Sequence, residues 1–130
     1  MELMTNIERL ILKKICNDES FARKTLPFVK PDYFEGHERI AYNLILDFIT
    51  KYNSLPSKST LQLEFVNSAK NTENNQEVLD IISDCIVDEK IDEKWMLEHT
   101  EKWCKDRAIF LGIMKSIGII DGKEQELDTG

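Results

Sequence analysis

Two histidines, three cysteines and two tryptophans are the residues of this chain with the most specialised chemistry, and their spacing decides what that chemistry can be. His37 and His99 would bind a metal only if a cysteine or carboxylate converged on them. No HxxxH, HExxH or CxxC brings that about. Cys16, Cys85 and Cys104 are odd in number and far apart, which suits neither a disulfide framework nor a zinc ribbon; reduced, mostly buried thiols are expected. The stretch Gly118-Ile119-Ile120-Asp121-Gly122-Lys123-Glu124 looks at first like a phosphate-binding loop. Its glycines are one residue too close together, and Glu124 stands where a magnesium-binding Ser or Thr belongs. Asp88, Glu89, Asp92 and Glu93 fall in a turn and at a helix start, where carboxylates stabilise the helix dipole. Trp95 and Trp103 have the faces to stack on bases, but acidic surroundings make packing in a core or interface the expectation. With no nucleophile, base and orienting group in one constellation, no catalytic, cofactor-binding or metal-ligating residue is assigned.

The charge balance points away from nucleic acid. Seventeen Lys and Arg against 24 Asp and Glu give a net charge of -7, whereas phosphate neutralisation needs the opposite sign. The basic residues Arg9, Lys13, Lys14, Arg23, Lys24, Lys102, Lys105 and Arg107 alternate with acids and read as solvated helix faces, so little direct nucleic-acid binding is expected. At 130 residues the chain can close one hydrophobic core. Its 42% apolar and 32% charged content fits a soluble globular protein, with no membrane span. Met1 to Asn6 runs directly into an amphipathic pattern unlike a signal peptide, and the expected location is the cytoplasm.

What would position these residues is a set of helices. Thr5-Asn6-Ile7-Glu8 has capping-box spacing, and Ile7, Leu10, Ile11 and Ile15 recur at helical intervals up to Asn17. A short helix with Phe21, Ala22 and Leu26 inward should end near Pro27. Pro31 keeps the next segment extended before the aromatic turn Asp32-Tyr33-Phe34-Glu35-Gly36. From His37 to Tyr52 the residues Ile40, Ala41, Leu44, Ile45, Phe48, Ile49 and Tyr52 predict the central core helix. Asn53 to Pro56 breaks it, and Ser59-Thr60-Leu61-Gln62 offers a second capping box for a helix through Leu63, Val66 and Ala69. Ile11, Phe34, Ile40, Leu44, Ile45 and Phe48 are the expected core. The polar run Lys70 to Asn75 marks a boundary.

Beyond that boundary, Val78, Leu79, Ile81, Ile82, Cys85 and Ile86 predict a helix of about three turns, and Asp88 to Asp92 a turn. Asp92 can cap a last helix reaching about Ile119. In it Met96, Trp103, Phe110 and Ile117 stand seven apart on one seam, as in helices that pack side by side. From Ala108 to Ile120 this helix is apolar almost all round, with only Lys115 charged, and a second subunit is expected to cover it. Gly112 and Ser116, four apart, would let another helix approach closely. The expected fold class is all-α, a compact helical head followed by a helical hairpin. The head is placed at 1–70, the hairpin at 71–120 and the start of a linker at 121–130. The expected protein interface is Met96, Trp103, Phe110, Ile113, Met114 and Ile117.

Pro31-Asp32-Tyr33-Phe34-Glu35-Gly36-His37-Glu38-Arg39-Ile40, then a long apolar helix, then Tyr52-Asn53-Ser54-Leu55-Pro56-Ser57, resembles the N-terminal domain of DnaB-type replicative DNA helicases. The likeness is greatest to the T-even phage branch of that family, through Asp32-Tyr33-Phe34-Glu35, Leu55-Pro56-Ser57, Trp95, Thr100-Glu101-Lys102 and Arg107-Ala108. It covers nearly all of residues 7 to 120 in the same order. The resemblance implies a head and hairpin that pair with those of neighbouring subunits to build a collar on a hexameric ring, docking primase or a helicase loader. It implies that Phe110, Met114 and Ile117 pack on a neighbouring hairpin. It also implies a separate ATPase domain, with its ATP and magnesium, that this chain lacks; the chain then reads as a fragment or natural truncation, and the linker as leading to that domain. The rival expectation is a free-standing regulator, a helicase loader or inhibitor that copies the collar.

Overall fold

The structure, a computed structural model, describes the backbone of residues 2–68, 75–86 and 91–121, with side chains for 7–68, 76–86 and 91–118. Among the described residues there are six α-helices, one 3-10 turn and no strand. They are α1 (Glu2–Asn17), α2 (Glu19–Thr25), the 3-10 turn Pro31–Tyr33, α3 (Gly36–Tyr52), α4 (Lys58–Val66), α5 (Asn75–Cys85) and α6 (Glu93–Asp121). The expected boundary at Lys70 to Asn75 falls, up to Asn74, outside the described residues. So do Ala69, the acids Asp88 and Glu89, and the linker from Gly122 on.

Local chemistry fixes most of the helix ends. Asp18 caps α2, accepting from the Phe21 amide at 3.0 Å, and Asp92 caps α6, accepting from the Trp95 amide at 3.0 Å. α3 closes at Asn53, whose left-handed φ of 54° turns its amide onto the Ile49 carbonyl at 2.7 Å. Two starts differ from expectation. α1 begins at Glu2, three residues ahead of the Thr5 cap position, because Glu2, Leu3 and Met4 are themselves good helix formers. α4 is capped by Ser57, not Ser59: the Ser57 hydroxyl accepts from the Thr60 amide at 3.2 Å, directly after Pro56 has set the chain extended.

One hydrophobic core joins all six helices. Phe21, Phe34, Tyr42 and Phe65 are fully buried in it with Ile11, Leu12, Ile15, Ile45, Leu61, Ile81 and Ile82. Each such side chain contributes roughly 1.5–3 kcal/mol of burial. Of the six expected core residues, Ile11, Phe34 and Ile45 are buried, and Ile40 and Leu44 pack half-buried against the cluster. Phe48 does not join it; half-buried, it packs at a tilt on the exposed Tyr52 with ring centroids 4.7 Å apart. The buried face of α3 is turned instead toward Ala41, Tyr42 and Ile45, because the Tyr42 hydroxyl donates to the Val29 carbonyl at 2.6 Å. That bond satisfies a polar group which would otherwise be costly to bury.

The last two helices pack differently from a hairpin. α5 lies against α1, α3 and α4, while α6 lies against α2, the 3-10 turn and α1. Among the described residues α5 and α6 do not pack on each other. The apolar residues of α5 explain this: Val78, Ile81, Ile82 and Cys85 are all buried in the head, so its one apolar stripe is already covered. Part-buried polar ties fasten the same arrangement. Lys14 donates to the Ile91 carbonyl at 2.7 Å and pairs with Asp18 at 2.9 Å, and Asn17 donates to the Cys85 carbonyl at 2.7 Å.

Candidate protein interface

α6 is one helix with two environments. At 29 residues it is about 43 Å long, more than the head can flank. Its seven-residue seam runs through Met96, Trp103, Phe110 and Ile117, drifting only about 20° per step. Met96 and Trp103 are 0% and 8% exposed, whereas Phe110 and Ile117 each keep 45%. Met96 and Trp103, expected at an interface, are therefore core residues of this chain. The reason lies in the aromatic turn. Phe34 packs on Trp103 with centroids 4.8 Å apart, and Tyr33 meets it edge-on at 6.0 Å. The four interface residues that remain, Phe110, Ile113, Met114 and Ile117, are all exposed, joined by Ile109.

The division falls at Arg107. Its Nε donates to the Tyr33 carbonyl at 2.7 Å, its Nη2 pairs with Glu35 at 3.1 Å, and its guanidinium lies 4.8 Å from the centre of the Phe110 ring. Arg107 is not the solvated basic residue expected from its position among acids; its side chain is mostly covered and holds α6 to the turn. Arg9 departs from that expectation too, reaching Glu38 at 3.2 Å and Asp84 at 3.3 Å and so linking α1, α3 and α5. Around these cations, Glu8 accepts from the Glu35 amide at 3.4 Å. Burial pushes the Glu8 carboxyl up to about 7, aided by the nearby charges of Glu38 and Glu35 and opposed by that hydrogen bond and by Arg107.

The remaining chemical candidates are placed as structural parts. His37 Nδ1 lies 2.8 Å from Glu77, tying α3 to α5, and His99 stacks on Trp95 at 3.8 Å. No group of three or more His, Cys, Asp and Glu is gathered for a metal among the described residues. Cys16 and Cys85 are buried and Cys104 half-buried. Burial raises all three thiols, Cys85 to about 12 and Cys104 to about 11. Gly118 to Asp121, the first part of the loop-like stretch, is helix. Gly112 and Gly118 face open space, and the Ser116 hydroxyl donates to the Gly112 carbonyl at 3.0 Å, which leaves that side of α6 low and smooth. No described helix is long and apolar enough to cross a membrane.

The described residues thus form an all-helical module with an exposed apolar stripe along the second half of α6. A scan against protein-family models finds no match. The particular likeness is to the DnaB-like replicative helicase of Enterobacteria phage T4, with 30% identity over 111 residues, or 85% of this chain. The chain spans 23% of the length of that protein.

Proposed function

We infer that this chain is the N-terminal assembly domain of a phage replicative DNA helicase, a collar domain that pairs subunits in a hexameric ring and docks a primase or loader. The observation that carries the reading is the exposed half of α6, where five large apolar side chains stand outside the head on a helix whose other half is core. Burying the rest of each would contribute roughly 1 kcal/mol apiece toward pairing, set against the entropy lost on association. The similarity to the phage T4 DnaB-like replicative helicase supports a helicase-related role, and the ring is what the family resemblance implies. Unwinding would belong to an ATPase domain outside this sequence.

Sedimentation equilibrium tests the pairing. The chain is expected to self-associate, and Ile113→Ser with Ile117→Ser to sediment as a folded monomer. A wild-type chain that stays monomeric at high concentration would refute the pairing. The rival regulator is separated by the source reading frame: continuation past Gly130 into a GxxxxGK[ST] motif favours the helicase, and a stop codon there the regulator.

A further inference from the structure

Four acids and two arginines gather where the exposed half of α6 leaves the head: Glu8, Glu35, Glu38 and Asp84 with Arg9 and Arg107. Arg9 of α1 takes Glu38 of α3 at 3.2 Å and Asp84 of α5 at 3.3 Å, and Arg107 of α6 takes Glu35 at 3.1 Å. Glu8 is left over. Among the described residues it forms no ion pair, and its carboxylate accepts a long bond, 3.4 Å, from the Glu35 amide. The charges facing it are Glu35 and Glu38 at the start of α3 and Arg107 on α6, with Arg9 next to it on its own helix. Nearby, Arg39 is engaged by the Phe34 carbonyl at 2.9 Å and His37 by Glu77 of α5 at 2.8 Å.

A half-buried carboxyl beside two like charges favours its neutral form, and burial, with Glu38 and Glu35, outweighs the amide bond and Arg107 here. The neutral acid can stay in the corner. The ionised acid regains its solvation only by turning out to water, which releases the Glu35 amide and unties α1 from the aromatic turn. That turn carries the Tyr33 carbonyl and Glu35, both held by Arg107, and the Tyr33 and Phe34 rings that cover Trp103. Arg107 in turn lies 4.8 Å from the centre of the Phe110 ring, where the exposed seam begins. Contacts therefore run without a break from Glu8 through the turn and Arg107 to the pairing surface.

We propose that this corner is a proton-sensitive hinge: a proton taken from water by the Glu8 carboxylate fixes the root of α6 to the head and so strengthens pairing of the exposed seam between two copies. The proposal rests on the pairing half of the function proposed above and adds its regulation. Fixing the root before contact lowers the ordering cost of association. The proton also removes one negative charge from each chain of net charge -7, so both effects have the same sign. Coupling of this kind is reciprocal, and pairing must tighten the hold on the proton as the proton tightens pairing.

Two chains separate the hinge from the pairing. In the Ile113→Ser, Ile117→Ser chain, whose seam is broken, carbon-13 NMR should show the Glu8 carboxyl titrating near pH 7, with the Glu35 amide and Arg107 Nε–H signals shifting at the same midpoint. A Glu8 midpoint in the ordinary carboxylate range, or Glu35 and Arg107 signals that ignore it, would overturn the hinge whether or not the chain pairs. In the unaltered chain, sedimentation equilibrium should find pairing about fivefold tighter at pH 6 than at pH 8, and the Glu8 midpoint higher in the paired chain than in the monomer. Glu8→Gln, neutral at every pH and still an acceptor for the Glu35 amide, should pair at pH 8 as tightly as the unaltered chain does at pH 6. Pairing indifferent to pH, or a pH slope undiminished in Glu8→Gln, would overturn the proposal. A chain that stays monomeric at both pH values while the hinge signals titrate as expected would refute the pairing reading, and with it this role for the hinge.

Discussion

Arg107 ties α6 to the aromatic turn through the Tyr33 carbonyl and Glu35, two contacts that no spacing rule could have paired across more than seventy residues. Replacing it with Met keeps the stem and leaves that carbonyl short of a donor. Urea denaturation should show a loss of about 1–2 kcal/mol. Glu8 gives a pH signature. Its folded-state value near 7 lies above the ordinary 4.5, so the native chain holds a proton that the unfolded chain releases. The stability linked to Glu8 is therefore greatest below about pH 4.5, falls as pH rises toward 7 and is level above. After allowance for solvent screening the span is about 1 kcal/mol. Thermal melts of Glu8→Gln, which keeps the acceptor for the Glu35 amide, should lose this slope and melt higher than wild type at pH 8. A slope that persists unchanged in the variant would assign it to other groups.

Helices were largely legible in the sequence, because apolar period and capping chemistry are local. The Asp92 cap and the reach of the last helix stand as the sequence indicates, and the seven-residue seam of α6 was visible. Which half of that seam is covered was not, since the cover for Trp103 comes from Tyr33 and Phe34, a turn distant in the chain. Tyr42 was missed for a related reason: it flanks the apolar i, i+4 stripe of α3, and only its bond to the Val29 carbonyl explains its burial. The pairing of α5 with the head rather than with α6 depends on three helices at once, beyond any single pattern. The two halves of α6 should respond oppositely to truncation. Trp103→Ala should cost about 3–5 kcal/mol of stability, a buried-aromatic deletion. Ile117→Ser should change monomer stability by no more than about 0.5 kcal/mol while weakening association. Calorimetry below the association range separates the two, and equal losses would contradict the division.

Self-association of a chain with net charge -7 sets apolar attraction against mutual repulsion. Raising ionic strength from about 0.05 to about 0.5 M screens the repulsion and leaves the apolar contact, so pairing should tighten with salt. Sedimentation across that range checks the sign; weakening with salt would indicate an interface built from ion pairs. With 24 acidic against 17 basic residues, the balance of charge is opposite to what phosphate contact requires. In the proposed role the chain handles subunits and partner proteins, and the strand is left to another domain.

Hydrogen exchange of α6 at two protein concentrations tests most directly whether one half of this helix belongs to its own core and the other to a second copy. Amides from Met96 to Cys104 should be protected equally at both concentrations, and those from Ala108 to Gly118 should gain protection as concentration rises. Exchange in the latter segment that is indifferent to concentration would contradict the account.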